Sequence, residues 1–273
     1  MLSFVIICIF SSMMTSRVFV LFFLLLLSSI MIRSVHFNGG TITWTAVDPF
    51  ANTSSVVVTI TQTYFWALSK INCDINVPIT TVGRENQSRI LTCVANCLTD
   101  GGYSTSPINS LTDCVSTNPP VDTMKSQTSK NVTIASESFF SIAHQDGTWR
   151  DVENSVQGNW SIVTYINLRR RLDGIINTPP ASTIQSPQYV LPNRTTQIRI
   201  PVYDVNLGDE VRCRWARNPG FAGADECDSL CNENNLPNGT SLTDCVLTFV
   251  STIENSWYGF TFQVNHIVNY KKN

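Results

Sequence analysis

Eight cysteines fall into two quartets of matching order: Cys73, Cys93, Cys97 and Cys114, then Cys213, Cys227, Cys231 and Cys245. Thiols at such spacings do one of two things: oxidised in pairs they staple loops, and as thiolates they hold zinc. Each quartet contains a Cys-x-x-x-Cys pair, and each final cysteine closes the string Ser-Leu-Thr-Asp-Cys, at residues 110–114 and 241–245. The spacings are 20, 4 and 17 positions in the first quartet and 14, 4 and 14 in the second. The shared order, central pair and pentapeptide favour duplication of this segment. Four cysteines allow three pairings. The shortest closures join neighbours along the chain: Cys73 with Cys93, Cys97 with Cys114, Cys213 with Cys227, and Cys231 with Cys245. Loops of that size each contribute about 3 kcal/mol in the chain-entropy account.

The compartment decides between sulfur bridges and zinc. Residues 18–32 carry no charge, Arg17 precedes them, and Ser28, Ser29 and Ser34 supply small residues at the far side. A basic residue, a short apolar run and small polar residues make the layout of a secretory signal peptide. The run is shorter than the roughly 20 residues that span a bilayer. We therefore expect a signal peptide over residues 1–34, with Met13 or Met14 as alternative starts, and secretion as the outcome. The alternative is a retained signal anchor, since residues 2–10 are also apolar. Cleavage would remove Cys8 and leave an even number of cysteines. Exported thiols meet oxidising conditions and pair, so the quartets read as disulfides.

Six Asn-x-Ser/Thr sequons, at Asn52, Asn86, Asn131, Asn159, Asn193 and Asn238, fit the same compartment. Charged residues make up only 14% of the chain, so N-glycans would supply the solubility that charge does not. With a net charge of −2 and no basic stripe, nucleic acid is excluded as an expected partner. Membrane contact is expected only if the leader is retained or the full-length protein continues past residue 273.

Other chemistry-bearing residues weigh less. Asp204, Asn206 and Asp209 surround a glycine turn and could approach calcium, but three oxygens are too few and an Asx hairpin turn is the simpler reading. The histidines His36, His144 and His266 stand beside no nucleophile motif. Asp151 with Glu153, or Asp225 with Glu226, could supply paired carboxylates for an extracellular hydrolase, though nothing distinguishes them from ordinary surface acids. No catalytic residue, cofactor or metal site is expected. Arg169, Arg170 and Arg171 end a strand pattern and read as a solvated strand end rather than a processing site. Trp149 and Trp160 lie near turns and are the candidates for exposed rings on which a sugar could stack.

The elements that must position these residues are strands. Val56, Val58, Ile60, Tyr64 and Trp66 share one face with period two, opposite Val57, Thr59, Thr61 and Thr63. Similar alternation runs through residues 197–202, 211–215 and 260–265, and further strands are expected at 41–47, 161–168 and 245–250. Turn formers punctuate the chain at 100–102, 118–120, 146–147, 173–174, 218–220 and 237–239. This is the signature of an all-β protein of two tandem, disulfide-stapled antiparallel β-sandwiches after the signal peptide. Prolines at Pro179 and Pro180 mark the connection. The expected modules are residues 35–176 and 177–270, with 271–273 as a tail.

Several strings together resemble a known group. Residues 36–44, His-Phe-Asn-Gly-Gly-Thr-Ile-Thr-Trp, open the mature chain. Asn159-Trp160-Ser161, the three arginines, Asp173-Gly174 and Asn177-Thr178-Pro179-Pro180 follow, then Arg212-Cys213-Arg214-Trp215 and Asp225-Glu226-Cys227. The set resembles extracellular, often membrane-anchored proteins of aquatic invertebrates and fishes that carry no assigned activity. The resemblance spans residues 36–268 and implies that the second module is immunoglobulin-like or cadherin-like. Members often read Asp-x-Asp-Gly-Asp at the 204–209 turn, where this chain departs from the pattern, and they usually continue past the last strand here. The expected function is a non-catalytic, secreted or cell-surface recognition or adhesion glycoprotein whose partner is an extracellular protein or glycan. The alternatives are a glycan-binding module using Trp149 and Trp160, and an extracellular hydrolase.

Overall fold

The computed structural model describes residues 36–79, 90–147, 149–154, 158–206, 208–231, 236–237 and 239–267. The expected leader, the sequons Asn86 and Asn238 and the tail lie outside the described residues. Among the described residues no helix is long and apolar enough to cross a membrane, and the regular elements are strands with short 3-10 turns. All belong to one compact unit.

Strands β1 (Phe37–Ala46), β2 (Ser55–Ala67), β4 (Asp113–Asn118) and β5 (Thr123–Ala135) form an antiparallel sheet in the order β1-β2-β5-β4. Strands β3 (Thr92–Ala95), β6 (Phe139–Asp146) and β7 (Trp160–Asn167) form a second sheet in the order β3-β6-β7. Both sheets feed one core. Phe37 and Trp44 from β1, Val58, Ile60, Tyr64 and Trp66 from β2, Phe140 and Ile142 from β6, and Trp160 and Ile166 from β7 belong to a single buried cluster. Each such side chain contributes about 1.5–3 kcal/mol on leaving water, and the period-two pattern of β2 places five of them, Val56, Val58, Ile60, Tyr64 and Trp66, on one side.

Strand β1 is the hinge of this arrangement. Its register slips between Phe37 and Gly39, and Gly39 takes φ +131°, a conformation that side chains rarely adopt. A Cβ at Gly40 would stand 2.6 Å from the Thr63 carbonyl oxygen and 3.2 Å from Ile162 Cδ1, so only glycine lets β1 lie this close to β2 and β7. Farther along, Trp44 Nε1 donates to the Tyr165 carbonyl at 2.8 Å, tying the first sheet to the second.

The remaining strands are shorter. They are β8 (Ala181–Ser182), β9 (Thr195–Arg199), β10 (Val202–Tyr203), β11 (Glu210–Trp215), β12 (Ser241–Thr243), β13 (Val246–Val250) and β14 (Phe262–Ile267). They make three small sheets, β12-β13-β9, β11-β14 and β10-β8. The inward residues of β13, Leu247 and Phe249, are buried, whereas Phe262 and Val264 of β14 are half-buried. Direct bonds join this region to the second sheet and to the segment before β7: Ser161 Oγ donates to the Asp225 carbonyl at 2.7 Å, and Asn154 exchanges two bonds with the Gly259 backbone.

Candidate functional site

All eight cysteines of the two quartets are closed as disulfides, and the pairing differs from the neighbour-to-neighbour expectation. Cys73 pairs with Cys114 and Cys93 with Cys97; Cys213 pairs with Cys245 and Cys227 with Cys231. In both quartets the first cysteine meets the fourth and the second meets the third. The reason lies in what the neighbours do. The segment after Cys73 bridges onto β4 through Ile75 with Cys114 and Pro78 with Asp113, bringing the Cys73 and Cys114 Cα atoms to 5.4 Å. A 3-10 turn accompanies each Cys-x-x-x-Cys closure, beginning at the third cysteine of the first copy and lying between the second and third cysteines of the second. Closed in this way, the thiols are not zinc ligands.

The shared pentapeptide, by contrast, folds two ways. Its last two residues, Asp113 and Cys114, begin β4. In the second copy Ser241–Thr243 is β12, and Asp244 and Cys245 form the two-residue turn into β13 with φ of 49° and 56°. Positive φ at both central residues is the hairpin turn whose twist matches antiparallel strands.

Within the first staple, Cys93 and Cys97 hold a tight loop that leads straight into Leu98. That side chain is fully exposed, at 103% of its reference area. The backbone around it is held from several directions. Thr99 Oγ1 donates to the Asn96 and Phe139 carbonyls at 2.9 and 2.7 Å, and the Asp100 carboxylate accepts from Gly102 N and Ser104 N at 2.9 and 3.0 Å. Burial pushes the Asp100 carboxyl up, but its bonds from Ser104 and Gly102 outweigh this and hold it below the usual carboxylate range. The result is an apolar side chain offered to solvent from a rigid mount.

Within the second staple the loop folds around Glu226. Its carboxylate accepts two bonds of 2.7 Å from the Arg214 guanidinium, and further bonds from Arg217 N at 3.1 Å and Phe221 N at 2.9 Å. Burial alone would raise this carboxyl; the guanidinium and the two amides hold it below its ordinary value. Asp225 caps the following turn through Cys227 N and Asp228 N. Asp228 moves the other way, raised by burial and by the charge of Asp225. Asp225 and Glu226 are thus occupied in holding the loop.

The 204–209 turn carries a connected polar cluster. Asp204 Oδ1 accepts from Asn206 N at 2.8 Å, the expected Asx turn. Asp204 Oδ2 lies 3.0 Å from His266 Nδ1, whose other ring nitrogen meets Asn177 Nδ2. Asp209 accepts two bonds from Arg171. Ligand atoms of Asp204, Asp209 and His266 lie within 4.8 Å of one another, but the Arg171 guanidinium already sits on the Asp209 oxygens. Arg170 is also engaged, donating to the Ala51 carbonyl, and Arg169 lies over the Phe139 ring. Arg170 and Arg171 are therefore tied down, while Arg169 stays exposed, as expected of a solvated strand end.

The two tryptophans expected to be exposed are not. Trp160 is 1% exposed and stacks on Phe37 with ring centroids 3.8 Å apart. Trp149 is half-buried and meets Phe37 edge-on at 5.0 Å. Trp160 opens β7 with inward parity and is closed into the core, while Trp149 packs against that core and stays half-buried. His36 lies against Trp66, and His144 against Tyr64 and Trp160. No protein family, curated protein or solved structure matches the chain.

Proposed function

We propose that this chain is a secreted or cell-surface glycoprotein that recognises or adheres to another extracellular molecule and carries out no catalysis. Residues 1–34 are read as its export signal. The two sheets of residues 36–176 are read as opposing faces of one β-sandwich, and the small sheets after residue 177 as a second, immunoglobulin-like one. On this reading it belongs with the extracellular proteins whose opening string His-Phe-x-Gly-Gly-Thr-x-x-Trp it resembles. The observation that carries the proposal is the nested closure of all eight cysteines, a pattern kept by oxidising compartments.

Loops held on a rigid scaffold are where such folds bind partners. Leu98 is the contact we assign, because its backbone is already ordered and docking it costs little conformational entropy. Beads coated with the purified full chain, applied to animal-cell monolayers, test this. Saturable adhesion is expected, and Leu98→Asp is expected to lower it at least about tenfold without moving the thermal midpoint. Absence of adhesion to any cell type or matrix would sink the recognition reading; adhesion indifferent to Leu98→Asp would sink the assigned contact. Trypsin and glycosidase treatment of the cells would tell a protein partner from a glycan.

A further inference from the structure

The four bridges differ in how far solvent reaches them. Cys114, Cys227 and Cys245 are buried, so Cys73–Cys114, Cys227–Cys231 and Cys213–Cys245 each keep one residue inside the fold. Cys93–Cys97 keeps none there: Cys93 is half-buried and Cys97 is exposed. Thiol–disulfide exchange requires a thiolate to reach one of the two sulfurs, so exposed bridges are the labile ones. Loop length points the same way. Cys73–Cys114 and Cys213–Cys245 close separations of 41 and 32 residues, whereas Cys93–Cys97 and Cys227–Cys231 each close one of 4. A short loop constrains the unfolded chain least, so opening it leaves the fold in place. Exposure and short closure coincide only at Cys93–Cys97.

The surroundings show what opening would release. Cys93 is held by its strand: β3 pairs with β6, Cys93 opposite Ile142, and the neighbouring Val94 packs against the buried Ala143 and Val163. Cys97 lies beyond the strand, at the start of a 3-10 turn. Between them the chain reverses at Asn96, with φ 56° and ψ 36°, in the left-handed region that side chains seldom adopt. Once the bridge is open, this reversal keeps the Thr99 N and Oγ1 bonds to the Asn96 carbonyl, at 3.0 and 2.9 Å, but loses its covalent tie to β3. Leu98 follows Cys97 directly, so its mount slackens too. Cys93 Sγ lies 3.6 Å from the Ala95 carbonyl oxygen, an acceptor already in place for the thiol that opening creates.

We infer that Cys93–Cys97 is a modification site, a bridge that extracellular dithiols open to slacken Leu98; this rests on the recognition role assigned to that residue. A thiolate of the dithiol attacks Sγ of Cys97, the exposed end. The S–S electron pair leaves on Cys93, which takes a proton from solvent. The second thiol of the reagent, itself as thiolate, then attacks its partner sulfur in the mixed disulfide and expels the Cys97 thiolate, which is protonated in turn. The bridge becomes two thiols, and the dithiol is oxidised to a disulfide by the same electron pair.

The test exposes the oxidised full chain, without denaturant and for a fixed short time, to graded dithiothreitol, then caps free thiols with N-ethylmaleimide and maps the peptides by mass spectrometry. Cys93 and Cys97 are expected to be capped at a dithiothreitol concentration at least about tenfold below that needed for any cysteine of the other bridges. Amide hydrogen exchange at residues 96–98 should quicken in the chain opened at this bridge alone. Its adhesion to cell monolayers should fall at least about threefold, because a contact residue must now be ordered on docking. Cys93→Ser/Cys97→Ser should match the opened chain and ignore dithiothreitol; the opened wild type serves in its place if that variant misfolds. Another bridge opening first, or all four opening together, overturns the inference. So does unchanged exchange at residues 96–98, and so does adhesion that selective opening leaves at the oxidised level. Absence of adhesion from every preparation, the oxidised one included, sinks the recognition reading, while the capping order and the exchange still decide the redox site.

Discussion

Arg214 on β11 and Glu226 in the loop beyond it meet through two parallel N–H···O bonds of 2.7 Å each. The Glu226 side chain is only 3% exposed, while Arg214 keeps 27%. The carboxylate also gathers the amides of Arg217 and Phe221, so one buried charge sets the path of the segment between Trp215 and Cys227. Gly220 lies against the same carboxylate, with no room for a Cβ beside it.

Removing that carboxylate should therefore cost more than one salt bridge. Glu226→Ala leaves two amides and a guanidinium without their acceptor, and a loss of about 3 kcal/mol is expected. The pH dependence has a definite sign. Because the folded carboxyl lies below its ordinary 4.5, its stabilisation is fully present above that value and is lost as pH falls through the folded one. Urea titrations from pH 7 to pH 3 should show the wild type losing more stability than Glu226→Gln over the acid end. Equal slopes would contradict the assignment.

The nested disulfides make a second quantitative contrast. Cys73–Cys114 closes a separation of 41 residues and Cys93–Cys97 one of only 4. In the chain-entropy account these constrain the unfolded chain by about 4 and about 2 kcal/mol. Replacing both cysteines of each bridge by serine should reproduce that order in denaturant midpoints. A larger loss for the short bridge would mean that its role is in the native state, holding the turn beneath Leu98. Non-reducing peptide mapping would check the pairing itself.

How much of this is legible in the sequence is clearest in β2. Val56, Val58, Ile60, Tyr64 and Trp66 were expected on one face and all are buried there. Its long partner β5 was invisible, because Lys125, Gln127, Ser129 and Asn131 make its sequence polar. Its inward Ser126 is satisfied locally, accepting from Trp66 Nε1 at 2.9 Å and from Thr112 Oγ1 at 2.7 Å. Hydrophobic periodicity cannot report a buried serine. The cysteine partners were hidden for a related reason: closure length along the chain ranks pairings, but strand register places the sulfur atoms. Trp160 was misplaced because the glycine and sequon before it look like a turn, and only the pairing of Asp146 with Trp160 shows where β7 begins.

Exposure sorts the described sequons. Asn52, Asn131 and Asn193 are exposed. Asn159 is half-buried; its carbonyl accepts from Ser229 Oγ at 2.7 Å, and its side chain bonds Asp228. A glycan on Asn159 would have to displace the second staple. Glycopeptide mapping of protein exported from animal cells should find carbohydrate at the three exposed sites and an unmodified Asn159. Full occupancy of Asn159 in folded material would show that these contacts do not form.

Gly40 offers the sharpest test of how closely β1 is packed. Its φ is open to any residue, so alanine there meets no backbone strain, and any penalty must come from contact. The added Cβ would stand 2.6 Å from both the Thr63 carbonyl oxygen and Tyr64 Cδ1. The carbonyl belongs to β2, paired on both sides with β1 and β5, and cannot yield without breaking a ladder. Gly40→Ala should therefore destabilise by about 1–3 kcal/mol, the usual cost of overpacking. Ile162→Val, which trims the side chain 3.2 Å away on β7, should recover only part of the loss, because the carbonyl contact is untouched. Full recovery in a double-mutant urea experiment would place the strain on the side chain instead, and would mean that β1 can shift on β2 as a unit.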